Sequence, residues 1–188
     1  MSVLVIGLIV FLGIHLLPVS PGSRDALVAR MGAQRYKAMF SIVSFAGLGL
    51  IVFGYRMATP GERLFAPLPA AIAVAPYAIT LSFILFAASN MRTHLRRVVQ
   101  HPMLLGLGLW AIVHLCANGD TRGTVLFGAL LAYAVVDLLS AVQRRAVRSF
   151  APTARHDVIA IVAGIVLGLV VMMYHRALFG VAVVPFGH

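Results

Sequence analysis

The sequence predicts an all-α, polytopic membrane protein, a bundle of about six transmembrane helices, and three observations lead there. Hydrophobic residues make up 61% of the 188-residue chain and charged ones only 11%, against about 45–50% and 25% in an average soluble domain. The mean hydropathy of +0.99 leaves more apolar surface than a soluble core of this size can hide, so lipid must cover part of it. The apolar residues also gather in long unbroken runs. In lipid every backbone polar group must be satisfied internally, which allows helices or closed barrels. Runs of this kind lack the alternation of barrel strands.

Six such runs follow in order, at about Ser2–Pro18, Ala38–Met57, Ala70–Ser89, Pro102–Ala117, Gly123–Ala141 and Asp157–Phe179. A bilayer core asks for about 17–25 residues per helix, so the first and fourth are short spans that sit in thinned bilayer or extend into their flanks. The first run has no Lys or Arg before it and no small-residue cleavage site, so it is expected to be retained as a span. No internal repeat or low-complexity tract stands out, and residues 1–188 read as a single transmembrane domain.

The connections set the topology. The first, "PVSPGSRDALVARMGAQRYK", holds Arg24, Arg30, Arg35 and Lys37; the third holds Arg92, Arg96 and Arg97; the fifth holds Arg144, Arg145, Arg148 and Arg155. These three hold 11 of the 15 basic residues, while Arg56, Arg63, Arg122 and Arg176 lie elsewhere. Basic loops stay on the cytoplasmic side, which puts both termini outside. Ser23 reads as the N-cap of a short interfacial helix over about Arg24–Met31, with Leu27, Val28 and Met31 toward the lipid. The second connection, with Pro60, Gly61, Pro67 and Pro69, reads as irregular. In the last span "GIVLG" places Gly164 and Gly168 at small-xxx-small spacing, which lets helices approach within the bundle.

The net charge of +10 is spread over short loops between apolar runs. That pattern suits anionic lipid headgroups and does not form the basic face of a nucleic-acid binder. The single cysteine, Cys116, excludes an intrachain disulfide. A small-solute transporter needs polar groups at mid-membrane, and the span centres here are almost purely apolar.

Four histidines fall at span positions: His15 and His101 toward the inner ends of the first and fourth spans, and His114 and His175 toward the outer ends of the fourth and sixth. His94, His156 and His188 lie in connections or at the terminus. A lone histidine at a span end is ordinarily an interfacial imidazole bonded to a carbonyl. Four together point to function, because ionisable groups inside a membrane are expensive and neutral imidazole is a metal and haem ligand. His101 and His114, 13 residues apart, are separated by roughly 20 Å along one helix and cannot share a metal. By depth, His15 pairs with His101 and His114 with His175. Other chemistries lack their residues. H-E-x-x-H, CxxC and G-x-S-x-G are all missing, and five acids are too few for a di-metal carboxylate site. Asn118 and Asp120 in "NGD" form a polar cluster after His114, with Asp120 placed to cap the next helix. Asp137, inside the fifth span, is expected to snorkel or to pair with Arg96, Arg97 or Arg144. Trp110 and Tyr77 read as packing or lipid-facing aromatics.

The stretch "HPMLLGLGLWAIVHLCANGDTRGTVLFGALLAYAVVD" resembles the NnrU family, with its His-Pro pair, its L-W-x-x-x-H step and its A-N-G-D turn. "GIHLLPVSPGSRDAL" and "HRALFG" resemble it as well, so the likeness covers nearly the whole chain and is most specific over residues 101–120. It implies a multi-pass protein of the bacterial inner membrane, associated with nitrite and nitric oxide reduction in denitrifiers. A plant relative, the ζ-carotene isomerase, is a haem b enzyme, and its two ligand histidines correspond to His15 and His114. On that likeness haem b is the expected cofactor, bound through His15 and His114. The geometric alternates are His101 and His175. The relative's alternative cysteine ligand falls at Ala111, and Cys116 lies elsewhere on the helix. The expected partners are membrane lipid and either an apolar substrate or a respiratory reductase; the contrasting reading is a non-enzymatic assembly factor for such a reductase. A looser resemblance is to isoprenylcysteine-type membrane methyltransferases, which carry R-H-P before an apolar helix. Here "QHP" puts Gln100 at the arginine position, and the paired later glutamates of those enzymes have no counterpart.

Overall fold

In the computed structural model, which describes residues 1–146 and 149–181, eight helices follow one another. The expected basic residue Arg148 and the histidine His188 lie outside the described residues. The chain is an all-α membrane protein. Four of its helices are long and apolar enough to cross a membrane, and two further apolar helices are shorter. Contacts divide the chain into two compact units, Met1–Thr59 and Pro60–His188.

In the first unit, α1 (Ser2–Leu16) and α3 (Ala33–Met57) pack antiparallel. Their seam is made by glycines. A Cβ on Gly54 would lie 2.4 Å from the Leu4 backbone nitrogen, one on Gly7 2.7 Å from that of Ile51, and one on Gly47 2.8 Å from that of Phe11. Only residues without a side chain allow two helix backbones to come this close, and close approach is how helices gain packing energy where lipid competes for apolar contact. Leu4 is wholly buried in this seam. Between the two helices runs α2 (Pro21–Met31). Its N-cap is Ser20 rather than the expected Ser23: the Ser20 carbonyl receives the Ser23 and Arg24 amides, and Pro21 takes the first helical position, which its fixed φ favours. Gly32, at φ 83°, ends α2 and opens α3 in one residue.

In the second unit, α4 (Pro69–Ala88) contacts both α6 (Pro102–Asn118) and α8 (Ala154–Phe179), while α7 (Thr121–Gln143) packs on α6. The small-residue spacing of the last span acts as expected. A Cβ on Gly164 would lie 2.5 Å from Ile84 Cα, so α8 packs closely on α4 there. Gly106 does the same for α6 against Phe86 and the Ser82 carbonyl. Ser82, fully buried, returns its hydroxyl to the Ala78 carbonyl at 2.8 Å, which satisfies it without a partner helix.

The third connection is more ordered than its sequence suggests. It contains α5 (His94–Val99), capped by the buried Thr93, whose hydroxyl receives the Arg96 amide at 2.9 Å. The second connection carries no helix between Ala58 and Leu68, yet its backbone is pinned. Leu64 N–H donates to the Gly119 carbonyl, Leu68 N–H to that of Cys116, and Thr121 N–H to that of Glu62. The exposed side chains are largely apolar: Phe45, Tyr77 and Met173 are each about three-quarters exposed, as lipid-facing residues should be.

Candidate functional site

The α6–α7 junction is built from its own sequence. Pro102 starts α6, and Gly119 ends it at φ 74°, a conformation that favours glycine. A side chain there would also strike the Phe65 carbonyl oxygen, 2.3 Å from an added Cβ. Asp120 then caps α7, its Oδ1 accepting the Gly123 amide at 2.6 Å, as its place in "NGD" suggested. Asn118 turns back and donates from Nδ2 to the His114 carbonyl at 2.7 Å. The expected polar cluster of Asn118 and Asp120 therefore fixes the end of the helix that carries His114.

His114 sits four residues before that end. Its Nδ1 lies 2.9 Å from the Trp110 carbonyl. A carbonyl only accepts, so Nδ1 carries the proton and the neutral ring presents Nε2 as a lone pair. The ring is held on both sides, 4.5 Å from Trp110 and nearly parallel to Phe127 at 4.7 Å, and Trp110 and Phe127 meet each other at 5.0 Å. Trp110 is thus a packing aromatic whose packing positions an imidazole.

Two other span histidines repeat the arrangement. His15, in the first unit, donates from Nδ1 to the Phe11 carbonyl at 2.7 Å, with the rings of Phe11 and Phe40 at 4.1 and 5.0 Å. His175 donates from Nδ1 to the Val181 carbonyl at 2.7 Å and lies against Phe179 at 4.9 Å. His101 differs. It occupies the N-cap position of α6 without making a cap bond, and its Nε2 is buried with no hydrogen-bond partner.

Several polar groups fall into structural roles. Asp137 accepts a bond from Tyr133 at 3.0 Å and lies 3.8 Å from Arg144, so of the three arginines named for it, Arg144 is the partner. His94 and His156 join the third connection to the start of α8. His94 bonds Asp157 through both its amide, at 2.8 Å, and its ring, at 2.5 Å, while His156 Nδ1 accepts the Arg92 amide at 3.2 Å. Arg122 had no role in the sequence reading. It lies in the first turn of α7, only 7% exposed, and brings a buried guanidinium to the end of the hairpin that holds His114. Nothing in the sequence distinguished it from a loop arginine. Among the described residues no three His, Cys, Asp or Glu side chains form a metal-binding cluster.

The chain matches the family model described as NnrU protein over residues 3–183. No curated protein and no solved structure matches it.

Proposed function

The chain belongs to the NnrU family, and from that premise we propose that it is an inner-membrane haem b protein linked to nitrite or nitric oxide reduction, or to isomerisation of an apolar substrate. The observation that supports this most is the state of the His114 ring. Its Nδ1–H is committed to the Trp110 carbonyl, its plane is held by Trp110 and Phe127, and its Nε2 lone pair is left for a ligand. Metal-ligating histidines use their second nitrogen in this way, since the bond fixes tautomer and orientation and raises basicity.

His114 would hold the haem iron; His15 is the second holder that the family likeness implies, and His175 and His101 are the alternates. A bound haem supplies redox and gas-binding chemistry. The protein's share is to orient imidazoles, to exclude water with apolar side chains, and to offer buried cations such as Arg122 to acidic groups.

The test is the absorption spectrum of detergent-purified protein made with added haem precursor, oxidised and then reduced. A stoichiometric Soret band that shifts on reduction, and that is lost in His114→Ala, is the expected result. A colourless, well-folded protein would instead favour a non-enzymatic membrane assembly factor. One observation favours that reading too: the Nδ1 bonds of His15, His114 and His175 each tie a ring to nearby backbone of the same helix end, which is also what a structural histidine does.

A further inference from the structure

The first unit holds a groove that adjoins His15 only through Phe40, whose ring packs on that histidine. It has a volume of about 330 Å³ and is lined by Pro18, Arg24, Tyr36, Lys37, Phe40 and Ser41. We propose that this groove binds the anionic phosphodiester headgroup of a membrane phospholipid.

The charge is the first argument. Arg24 and Lys37 bring two cations to the groove, and Asp25 lies 2.8 Å from Arg24. The local balance is therefore a single positive charge, matched to a phosphodiester monoanion rather than to a phosphate dianion. The Arg24–Asp25 pair is more than half exposed on both sides, so it is weak and leaves Arg24 able to turn to another anion.

The second argument is an unsatisfied group. Tyr36 is 6% exposed, and its hydroxyl is buried without a hydrogen-bond partner. A buried hydroxyl left unpaired costs about 1–3 kcal/mol, and a ligand oxygen in the groove would remove that cost. Ser41 lines the same groove, and the Arg24 guanidinium lies 6.0 Å from the centre of the Tyr36 ring. Tyr36 thus has a cation beside its face and an unpaired hydroxyl at its tip.

Position is the third argument. Lys37 is the last charged residue before the apolar stretch of α3, and the exposed side chains of Ile42 and Phe45 begin about one turn beyond it. Leu16, exposed at the end of α1, lies two residues before Pro18. The groove therefore lies at headgroup depth, next to surface that acyl chains cover. Its volume is at the small end of ligand sites, which run about 300–1,000 Å³, and suits a headgroup rather than a whole lipid. A headgroup with its own ammonium would bring a third cation beside Arg24 and Lys37, so glycerol-type headgroups are preferred over choline or ethanolamine.

The test uses the full chain in a non-ionic detergent, with native mass spectrometry of lipid adducts from an equimolar mixture of phosphatidylglycerol and phosphatidylcholine bearing the same acyl chains. The wild type should take its first phosphatidylglycerol in preference by about tenfold, as charge-assisted bonds imply. Arg24→Gln/Lys37→Gln should bring the preference to near parity. Tyr36→Phe, which keeps the ring and the packing, should lower adduct formation with both lipids about threefold and leave the preference unchanged, because the hydroxyl meets the phosphodiester that both share. Arg30→Gln/Arg35→Gln, which removes the same charge from exposed positions outside the groove, should leave it intact. Parity in the wild type, or equal losses in the two double variants, would overturn the proposal. So would displacement of the lipid by millimolar inorganic phosphate, which would show a free-anion site in place of a lipid site.

Discussion

Replacing Gly54 by alanine should destabilise the α1–α3 pair, although alanine is the better helix former. An ideal Cβ at Gly54 lies 2.4 Å from the Leu4 nitrogen and 2.7 Å from Leu4 Cα, whereas carbon contacts are favourable at about 3.5–4.0 Å. The obstacle is backbone, so no side chain can rotate away and the helices must separate by roughly 1 Å. Such a gap forfeits about a quarter to a half of the dispersion energy of each contact it opens, and the seam includes two further close approaches, at Gly7 and Gly47. Overpacking of this kind costs about 1–3 kcal/mol, and the gain in helix propensity returns about 0.5–1 kcal/mol. Gly49 is the control, because it lies on the same helix with nothing within 4 Å of an added Cβ. Gly49→Ala gains the same propensity without the clash. The difference between the two variants therefore isolates the packing cost, about 1–3 kcal/mol, or roughly a five- to 150-fold change in the unfolding equilibrium. Reversible unfolding of the detergent-solubilised variants, followed by circular dichroism, measures it. Equal stability of Gly54→Ala and Gly49→Ala would refute the reasoning.

The remaining predictions concern the second unit and its caps. Asp120→Ala removes the side-chain acceptor of the Gly123 amide and should cost about 0.5–2 kcal/mol, with Asp120→Asn retaining most of the stability; thermal melts of the two variants compare them. Gly164→Ala meets Ile84 backbone at 2.5 Å, while Gly168→Ala meets only the Phe83 ring at 3.6 Å. The first should therefore lower the denaturation midpoint and the second should be tolerated. Asp157→Asn weakens the bonds that hold α5 to the start of α8, and the His94 amide should then exchange its hydrogen faster than in the wild type.

Most of the architecture was legible because a membrane helix writes its own signal. The run expected over Pro102–Ala117 is α6 within one residue, and the run over Gly123–Ala141 is α7 within two at each end. The cap at Asp120 and the Asp137–Arg144 pair were legible for a local reason, since each joins residues close in sequence on one helix or its turn. The helix α5 was missed because six residues, two of them arginines, give no apolar period. The N-cap lies at Ser20 and not at Ser23 because Pro21 and backbone carbonyl bonds decide the helix start, not a serine hydroxyl. The pinning of Glu62, Leu64 and Leu68 onto the α6–α7 junction uses backbone atoms of distant residues, which have no signature in sequence. Arg122 belongs to the same class: its burial depends on that fold-back and not on its neighbours in the chain. Of the candidate site, the sequence located the imidazoles, and the structure added which nitrogen of His114 is committed and which is open.

Haem binding through His114 is tested most directly by the haem content per chain of His114→Ala beside that of the wild type, with helicity checked by circular dichroism. Close to one haem b per wild-type chain is expected, and little or none in a variant that keeps its helicity. A helical wild type purified without haem, or a His114→Ala variant that keeps its full complement, would contradict it.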